Sequence, residues 1–310
     1  MYFKKKQYDG SELKSFAAVK DKLPKPILSG DQEYLDCYWY AVKLAFKNTH
    51  QPSKESGFVS NFVDAAFNEN IFMWDTAFIT MFCNLFHHYL PGICSLDNFY
   101  CKQFADGEIS RELIRATGRD FPKWVNVYAK PLYSYFHNHY EYRRLSAAQN
   151  ASCKDMYKPD LGREVPINPY LTLDALNHPI MAWAEYRSFL HTGDKDRLEL
   201  VVEPLFHYYK ALWFQIRHAN NLYVSDWASM DNSPRNKYLG CAVDTSCEMV
   251  LFAEMLLRIM AELEKEGRFD RQTLRERSAF LETNARLTKE AINNLMWDDE
   301  AGFYFDCMDN

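Results

Sequence analysis

A succession of long segments with helical periodicity constrains the fold of this chain more than any other feature of its sequence. In residues 243–266, apolar side chains recur mostly every three or four positions, at Met249, Leu251, Phe252, Met255, Leu256 and Ile259. The same kind of spacing predicts helices over 31–48, 71–82, 171–191, 194–218 and 272–296, with an interruption at 177–179 and a kink or break at Pro204. No segment alternates apolar and polar residues over the length of a strand, so we expect an all-α protein without a sheet. Successive helices with short and long connections indicate antiparallel hairpins stacked side by side.

Length and composition favour one compact soluble unit. With 310 residues and 47% hydrophobic side chains, the chain can bury roughly three quarters of its unfolded surface. No change of composition marks a boundary, so we expect a single domain over 1–310 with a polar, extended lead-in over 1–31. The net charge of -6 comes with scattered lysines and arginines, which gives no basic stripe for phosphates. We therefore expect no nucleic-acid partner.

The sequence shows neither an export signal nor a membrane span. The lysines at positions 4–6 are followed by polar residues, where a signal peptide would need an apolar run of roughly seven to fifteen residues. No stretch approaches the roughly 18 apolar residues of a membrane span. Eight cysteines show neither a CxxC pair nor zinc-type spacing, which favours reduced, buried thiols over the alternative of a secreted disulfide protein. We expect a cytoplasmic protein with no membrane partner.

One loop concentrates chemistry-bearing side chains. Residues 226–235 contain Asp226, Trp227, Asp231 and Arg235 without apolar periodicity, and Pro234 cannot continue a helix. Binding and catalytic residues are often carried by loops on a rigid scaffold. The alternative is a capped turn, in which Asp231 or the serine at 233 caps the next helix.

Further candidates lie near the start of helices or turns. Asp75 follows Trp74 inside an apolar run, near a helix N-terminus that favours negative charge, and we prefer a ligand role to a capping role. Arg111 and Glu112 follow an Asp-Gly turn, and their simplest interpretation is a surface or inter-helix ion pair. Residues 117–170 are rich in Tyr, Phe, Asn and Pro, which is typical of a long ordered loop that forms a lid or binding surface.

Five short motifs follow one another along the chain: Phe-Met-Trp-Asp at 72–75, Asp-Gly-Glu-Ile-Ser-Arg-Glu at 106–112, Asn-Pro at 168–169, Met-Asp-Asn-Ser-Pro-Arg at 230–235, and Met-Trp-Asp with Tyr-Phe-Asp at 296–298 and 304–306. They occur in the same order as in glycoside hydrolase family 63, which this chain resembles over roughly residues 55–306. The chain is also similar to the related mannosylglycerate hydrolases and, more distantly, to trehalases. The resemblance implies an (α/α)6 toroid whose loops form a sugar pocket at one end, and cleavage of α-glycosides with inversion.

The resemblance also implies roles for individual residues. Asp231 matches the general acid, and Trp74 and Asp75 match residues that line the pocket of the terminal sugar. Weaker matches place five more residues at or next to the pocket wall, namely Gln103, Arg111, Glu112, His178 and Trp227. The implied substrate is a small α-glucoside, an α-mannoside or an oligosaccharide end, and hydrolysis by two carboxyl groups requires no metal or cofactor. Asp231 would have to hold a proton at neutral pH, with burial or the anions of Asp226 or Asp75 raising its pKa.

The general base departs from the family pattern. In the family it is a glutamate far beyond the segment that reads here as 297–306, and this sequence ends at Asn310. We therefore expect the N-terminal part of a longer protein or a truncated gene product, with the last helices of the barrel missing. Three acids in helical segments are conceivable replacements, although solvated or capping acids are the favoured interpretation: Glu185, Asp244 and Glu248.

Two other functions remain open. The absent base is compatible with an inactive fragment or a sugar-binding module of the same fold. An epimerase on a similar barrel would rely on a histidine pair, for which His87, His88 and His178 are the candidates. Adjacent histidines on a helix point in different directions, so we expect His87 and His88 to be surface or interface residues.

Overall fold

Helices make up most of the residues that the structure describes. The computed structural model describes residues 6–103, 107, 109–118, 178–225 and 240–308. The α-helices of these residues are, in chain order, α1 (Phe16–Val19), α2 (Gln32–Lys47), α3 (Met73–Cys83), α4 (Asp97–Tyr100), α5 (Met181–Thr192), α6 (Lys195–Ile216), α7 (Val243–Lys265) and α8 (Arg271–Leu295). Short 3-10 turns lie at Lys20–Lys22, Asn84–Phe86 and Gly92–Leu96.

The long helices begin and end where local chemistry favours it. Gly193 ends α5 in the left-handed conformation, with φ of 67°. The side chain of Asp194 then caps α6 by accepting a hydrogen bond from the backbone N–H of Arg197 at 2.9 Å. Asp270 caps α8 in the same way through the N–H of Thr273 at 2.7 Å. Pro204 lies inside α6 without ending it. Of the kink or break expected there, the break is therefore wrong and the kink stays a prediction.

The helices pack around a large apolar core. α7 packs most extensively against α8 and also contacts α5 and α6, while α3 lies against α5. At the centre of this packing, the ring of Phe252 on α7 contacts the rings of Tyr208 and Tyr209 on α6. A second apolar cluster lies under α2, where Val42 and Phe46 are buried together with Phe86 of the Asn84–Phe86 turn.

Short antiparallel ladders join the helices. The strands are β1 (Thr49–His50), β2 (Phe62–Val63), β3 (Asn70–Phe72), β4 (Glu112–Ile114), β5 (Val224–Ser225), β6 (Gly240–Cys241), β7 (Trp297–Asp298), β8 (Phe303–Tyr304) and β9 (Cys307–Met308). They pair as β1 with β2, β3 with β4, β5 with β6 and then β9, and β7 with β8. The expectation that no sheet forms is therefore wrong for these ladders. Strands of two or three residues are too short to show an alternating pattern.

Within the described residues, no helix combines the length and the apolar character that crossing a bilayer requires.

Candidate functional site

The junction of β3 and α3 positions the first candidate residues. Phe72 lies opposite Glu112 in the β3–β4 ladder, and the N–H of Met73 donates a hydrogen bond to the carbonyl of Arg111 at 2.9 Å. These backbone contacts bring the segment that carries Trp74 and Asp75 alongside Arg111 and Glu112. Two motifs that are distant in sequence are therefore neighbours in the fold.

His178 joins this group from the segment before α5. The centroid of its ring lies 4.3 Å from that of Trp74. Its Nδ1 lies 2.7 Å from Oε2 of Glu248 on α7, and the side chains of His178 and Glu248 are 6% and 16% exposed. A carboxylate at this distance favours the tautomer or charge state in which Nδ1 carries a proton, which directs Nε2 away from Glu248.

An aromatic surface extends from Trp74 along α3 and α5. The exposed ring of Phe78 packs edge-on against Trp74, with centroids 4.9 Å apart, and also contacts Trp183 at 5.7 Å. Sequence reasoning did not single out Phe78 or Trp183. The available signal was helical spacing, because Phe78 follows Trp74 by four residues on the same face of α3.

Glu112 is buried on β4. Its Oε1 accepts a hydrogen bond from Nδ2 of Asn70 at 2.6 Å, and its Oε2 lies 3.9 Å from Nη2 of Arg111. Arg111 is partly buried. The expected ion pair of Arg111 and Glu112 is present. Its predicted placement at the surface or between helices is wrong, because the ladder with β3 draws Glu112 into the interior.

Asp75 lies in the first turn of α3 and is partly buried. The expected position near a helix N-terminus is confirmed, and the positive end of the helix dipole stabilises a carboxylate there. A contact of Asp75 with substrate stays a prediction.

The side-chain amide of Gln103 links two separate backbone segments. Its Nε2 donates to the carbonyl of Gly107 at 2.7 Å and to the carbonyl of Pro204 on α6 at 2.8 Å. Both amide hydrogens are therefore engaged, and only Oε1 remains for a ligand. A contact of Gln103 with substrate also stays a prediction.

The three acids considered as replacement bases have different surroundings. Glu185 is fully buried, and both of its oxygens lie 2.7 Å from guanidinium nitrogens of Arg197, so the expectation of a solvated or capping acid is wrong for Glu185. Asp244 lies in the first turn of α7, where its Oδ1 accepts from the N–H of Thr245 at 2.7 Å. Glu248 is the acid that pairs with a candidate site residue, His178.

Asp231 and Trp227 lie outside the described residues, although both ends of their segment are fixed. In the ladder of β5 with β6, Val224 is opposite Cys241 and Ser225 is opposite Gly240. The backbone that leads into 226–239 and the backbone that leaves it are therefore neighbouring strands.

His87 and His88 are exposed, as expected, and do not line the site described above. Their ring centroids lie only 3.8 Å apart, because the two residues lie in a turn and not on the regular helix that the sequence suggested.

Comparisons with known proteins show the fold. No protein-family model matches the chain. An uncharacterized protein of Borreliella burgdorferi is 31% identical over 136 residues, which are 42% of this chain and 26% of that protein. The crystal structure of a GH63 mannosylglycerate hydrolase from Thermus thermophilus in complex with glucose superposes with a TM-score of 0.52 and 16% identity, over 87% of this chain and 66% of that one. An uncharacterized conserved protein from the same organism superposes with a TM-score of 0.52 and 14% identity, over 86% of this chain and 66% of that one.

The chain thus spans about a quarter of the Borreliella burgdorferi protein and just under two thirds of each Thermus thermophilus structure. Its described helices have the all-α toroid arrangement of a glycosidase-like fold, which confirms the fold class expected from helical periodicity and from the ordered motifs.

Proposed function

We propose that the chain is the acid-bearing part of an inverting α-glycoside hydrolase that acts on a small α-glucoside, an α-mannoside or an oligosaccharide end. The observation that carries this proposal is the convergence of Trp74, Asp75 and His178 beside Arg111. These residues come from three separate segments of a fold that is shared with a mannosylglycerate hydrolase.

The described residues offer what a sugar ring requires. The faces of Trp74 and Phe78 can pack against the C–H groups of a pyranose. The carboxylate of Asp75 can accept hydrogen bonds from two hydroxyl groups, and Arg111 can donate several. Nδ1 of His178 bonds Glu248, and the proposal assigns a further hydroxyl of the sugar to the other ring nitrogen, Nε2.

Asp231 is assigned as the general acid in this proposal. It donates its proton to the glycosidic oxygen as the bond to the anomeric carbon breaks, while a second carboxylate takes a proton from the water that attacks the opposite face. The family resemblance assigns that second carboxylate to a glutamate outside these 310 residues. Two carboxyl groups complete the proton balance of the hydrolysis.

The test uses the whole protein with 4-nitrophenyl α-glucoside and α-mannoside as substrates, and with glucose as the ligand. We expect Asp231→Asn to lose turnover by at least about 1,000-fold while glucose binding, measured by calorimetry, persists. Trp74→Ala should instead weaken glucose binding, and Trp39→Ala, in the second apolar cluster, should leave it unchanged.

Proton NMR of the first product separates the mechanism from its alternatives. An inverting enzyme releases the β-anomer first from an α-glycoside. Release of the α-anomer, or full turnover by Asp231→Asn, would refute the assignment. Glucose binding by the wild-type protein without any turnover would support a sugar-binding module in place of an enzyme.

A further inference from the structure

We propose that Cys241 and Cys307 are a redox-sensitive pair that forms a disulfide when the folded protein meets a thiol oxidant of the glutathione-disulfide class. The cross-link would join β9, near the end of the chain, to β6. This inference does not depend on the proposed glycosidase activity.

The ladder of β6 with β9 places the two cysteines directly opposite each other. Cys241 is the antiparallel partner of Cys307. Opposed residues in such a ladder have Cα atoms about 4.5 or 5.5 Å apart, and both separations lie within the roughly 4.4–6.8 Å that a disulfide spans. Their side chains also lie on the same face of the sheet. The pairing therefore places the two Cα atoms at a separation that a disulfide can span.

Neighbouring contacts hold this register. Gly240 lies opposite Met308, and the N–H of Val243, at the start of α7, donates to Oδ1 of Asp306 at 2.9 Å. Cys307 also packs against the main apolar core. A slip of one residue would break these contacts and would turn Cys307 to the opposite face of the ladder.

The surroundings of the two sulfurs suggest the order of the steps. Cys307 is partly exposed, whereas Cys241 is buried with its Sγ 3.7 Å from Nδ2 of Asn220. The thiolate of Cys307 attacks one sulfur of glutathione disulfide, which breaks that S–S bond and releases one glutathione thiolate. The thiolate of Cys241 then attacks the sulfur of Cys307, forms the protein disulfide and releases the second glutathione. Two protein thiols are oxidised as one glutathione disulfide is reduced.

The position of the pair gives the cross-link a structural consequence. β6 leaves the segment 226–239 and pairs with β5, which enters it. A disulfide from β6 to β9 would therefore brace one anchor of this segment against the chain near residue 307. Reduction would leave the short ladder and the contact with Asp306 to hold β9.

The experiment incubates the folded full-length chain in glutathione buffers of increasing oxidised fraction, alkylates the remaining thiols and maps tryptic peptides by mass spectrometry. Cys241 and Cys247 lie on one tryptic peptide, 238–258, and Cys307 lies on another, 290–310. The exposed Cys247 is therefore the matched control. We expect the linked peptides in the wild-type protein and in Cys247→Ser, and their loss in Cys241→Ser.

The cross-link closes a long loop, so we expect the melting temperature to rise by roughly 5–10 °C on oxidation and to return with dithiothreitol. Cys307→Ser should show no such rise. The proposal is overturned if alkylation still modifies both thiols after incubation in the fully oxidised buffer. It is also overturned if the linked peptides persist in Cys241→Ser, or if they appear only after urea is added. Peptide mapping of the wild-type and Cys247→Ser proteins shows whether the Cys241–Cys307 disulfide forms, even where another variant folds poorly.

Discussion

His178 links two parts of the candidate site, the indole of Trp74 on α3 and the carboxylate of Glu248 on α7. Its ring faces the indole of Trp74, and its Nδ1 bonds the carboxylate of Glu248 from a different helix. A nearly buried imidazole in such a position is oriented by its charged partner, because a charge-assisted hydrogen bond is stronger than one between neutral groups. The orientation of His178 against Trp74 should therefore depend on the charge of Glu248.

Glu248→Gln tests this dependence, since it keeps the size of the side chain and removes the charge. We expect glucose binding by the whole protein to weaken by roughly 10-fold, which corresponds to about 1.4 kcal/mol of lost interaction. Calorimetric titration measures the change. Glu254→Gln is the control, because Glu254 lies on the same helix and pairs with Lys289 at the surface. Equal affinity in Glu248→Gln and wild type would contradict an orienting role.

At the scale of secondary-structure elements, the sequence predicted the helices well and their short connections poorly. Periodicity and the Gly193–Asp194 pair, which end one helix and start the next, are local signals. The ladder that buries Glu112 and the bond from Glu248 to His178 join residues far apart in the chain, and neither has a local signal. The motif order supplied Trp74 and Asp75 as candidates, but only tertiary structure shows their aromatic neighbours.

Two glycines with positive φ differ in the space around their Cα atoms. Gly193 has φ of 67° and open space where a Cβ would lie, whereas Gly107 has φ of 101° and would drive a Cβ into the backbone of His207 on α6. We expect Gly193→Ala to lower the free energy of unfolding by roughly 1 kcal/mol and Gly107→Ala by roughly 3 kcal/mol or more. Urea denaturation measures both values. Similar losses in the two variants would show that the approach to α6 is not tight.

At the scale of the whole molecule, a largely buried ion network joins five segments of the chain. Arg197 on α6 bonds Glu185 on α5 and Asp97 on α4, at 2.7 and 3.0 Å. Asp97 also accepts from Lys6 in the N-terminal segment and from the hydroxyl of Ser60. Because Arg197, Glu185 and Asp97 are buried, each of the two anions relies on its cation and on hydrogen bonds for compensation.

Removal of the central cation should therefore destabilise the whole fold. We expect Arg197→Met to lower the free energy of unfolding by roughly 3–5 kcal/mol, since it leaves two buried carboxylates without their guanidinium. Arg286→Met removes an exposed pair with Glu290 on α8 and should cost less than roughly 1 kcal/mol. Urea denaturation at neutral pH compares the two. A small loss in Arg197→Met would show that the carboxylates tolerate its absence by taking up protons.

The same network should make the free energy of unfolding depend on pH. Burial alone would raise the pKa of Asp97, but the cations of Arg197 and Lys6 hold that pKa below the ordinary value of 3.8. An acid whose pKa is lower in the folded than in the unfolded state adds stability above the unfolded value, and this contribution is lost as the pH falls through the folded value. We therefore expect the wild-type protein to be more stable than Asp97→Asn at pH 7, and the difference between them to shrink below about pH 4. Urea denaturation of both proteins between pH 7 and pH 3 measures that difference, in which the titration of groups away from Asp97 cancels. A difference that stays constant or grows in acid would mean that Asp97 is protonated in the folded protein and that Arg197 is balanced by Glu185 alone.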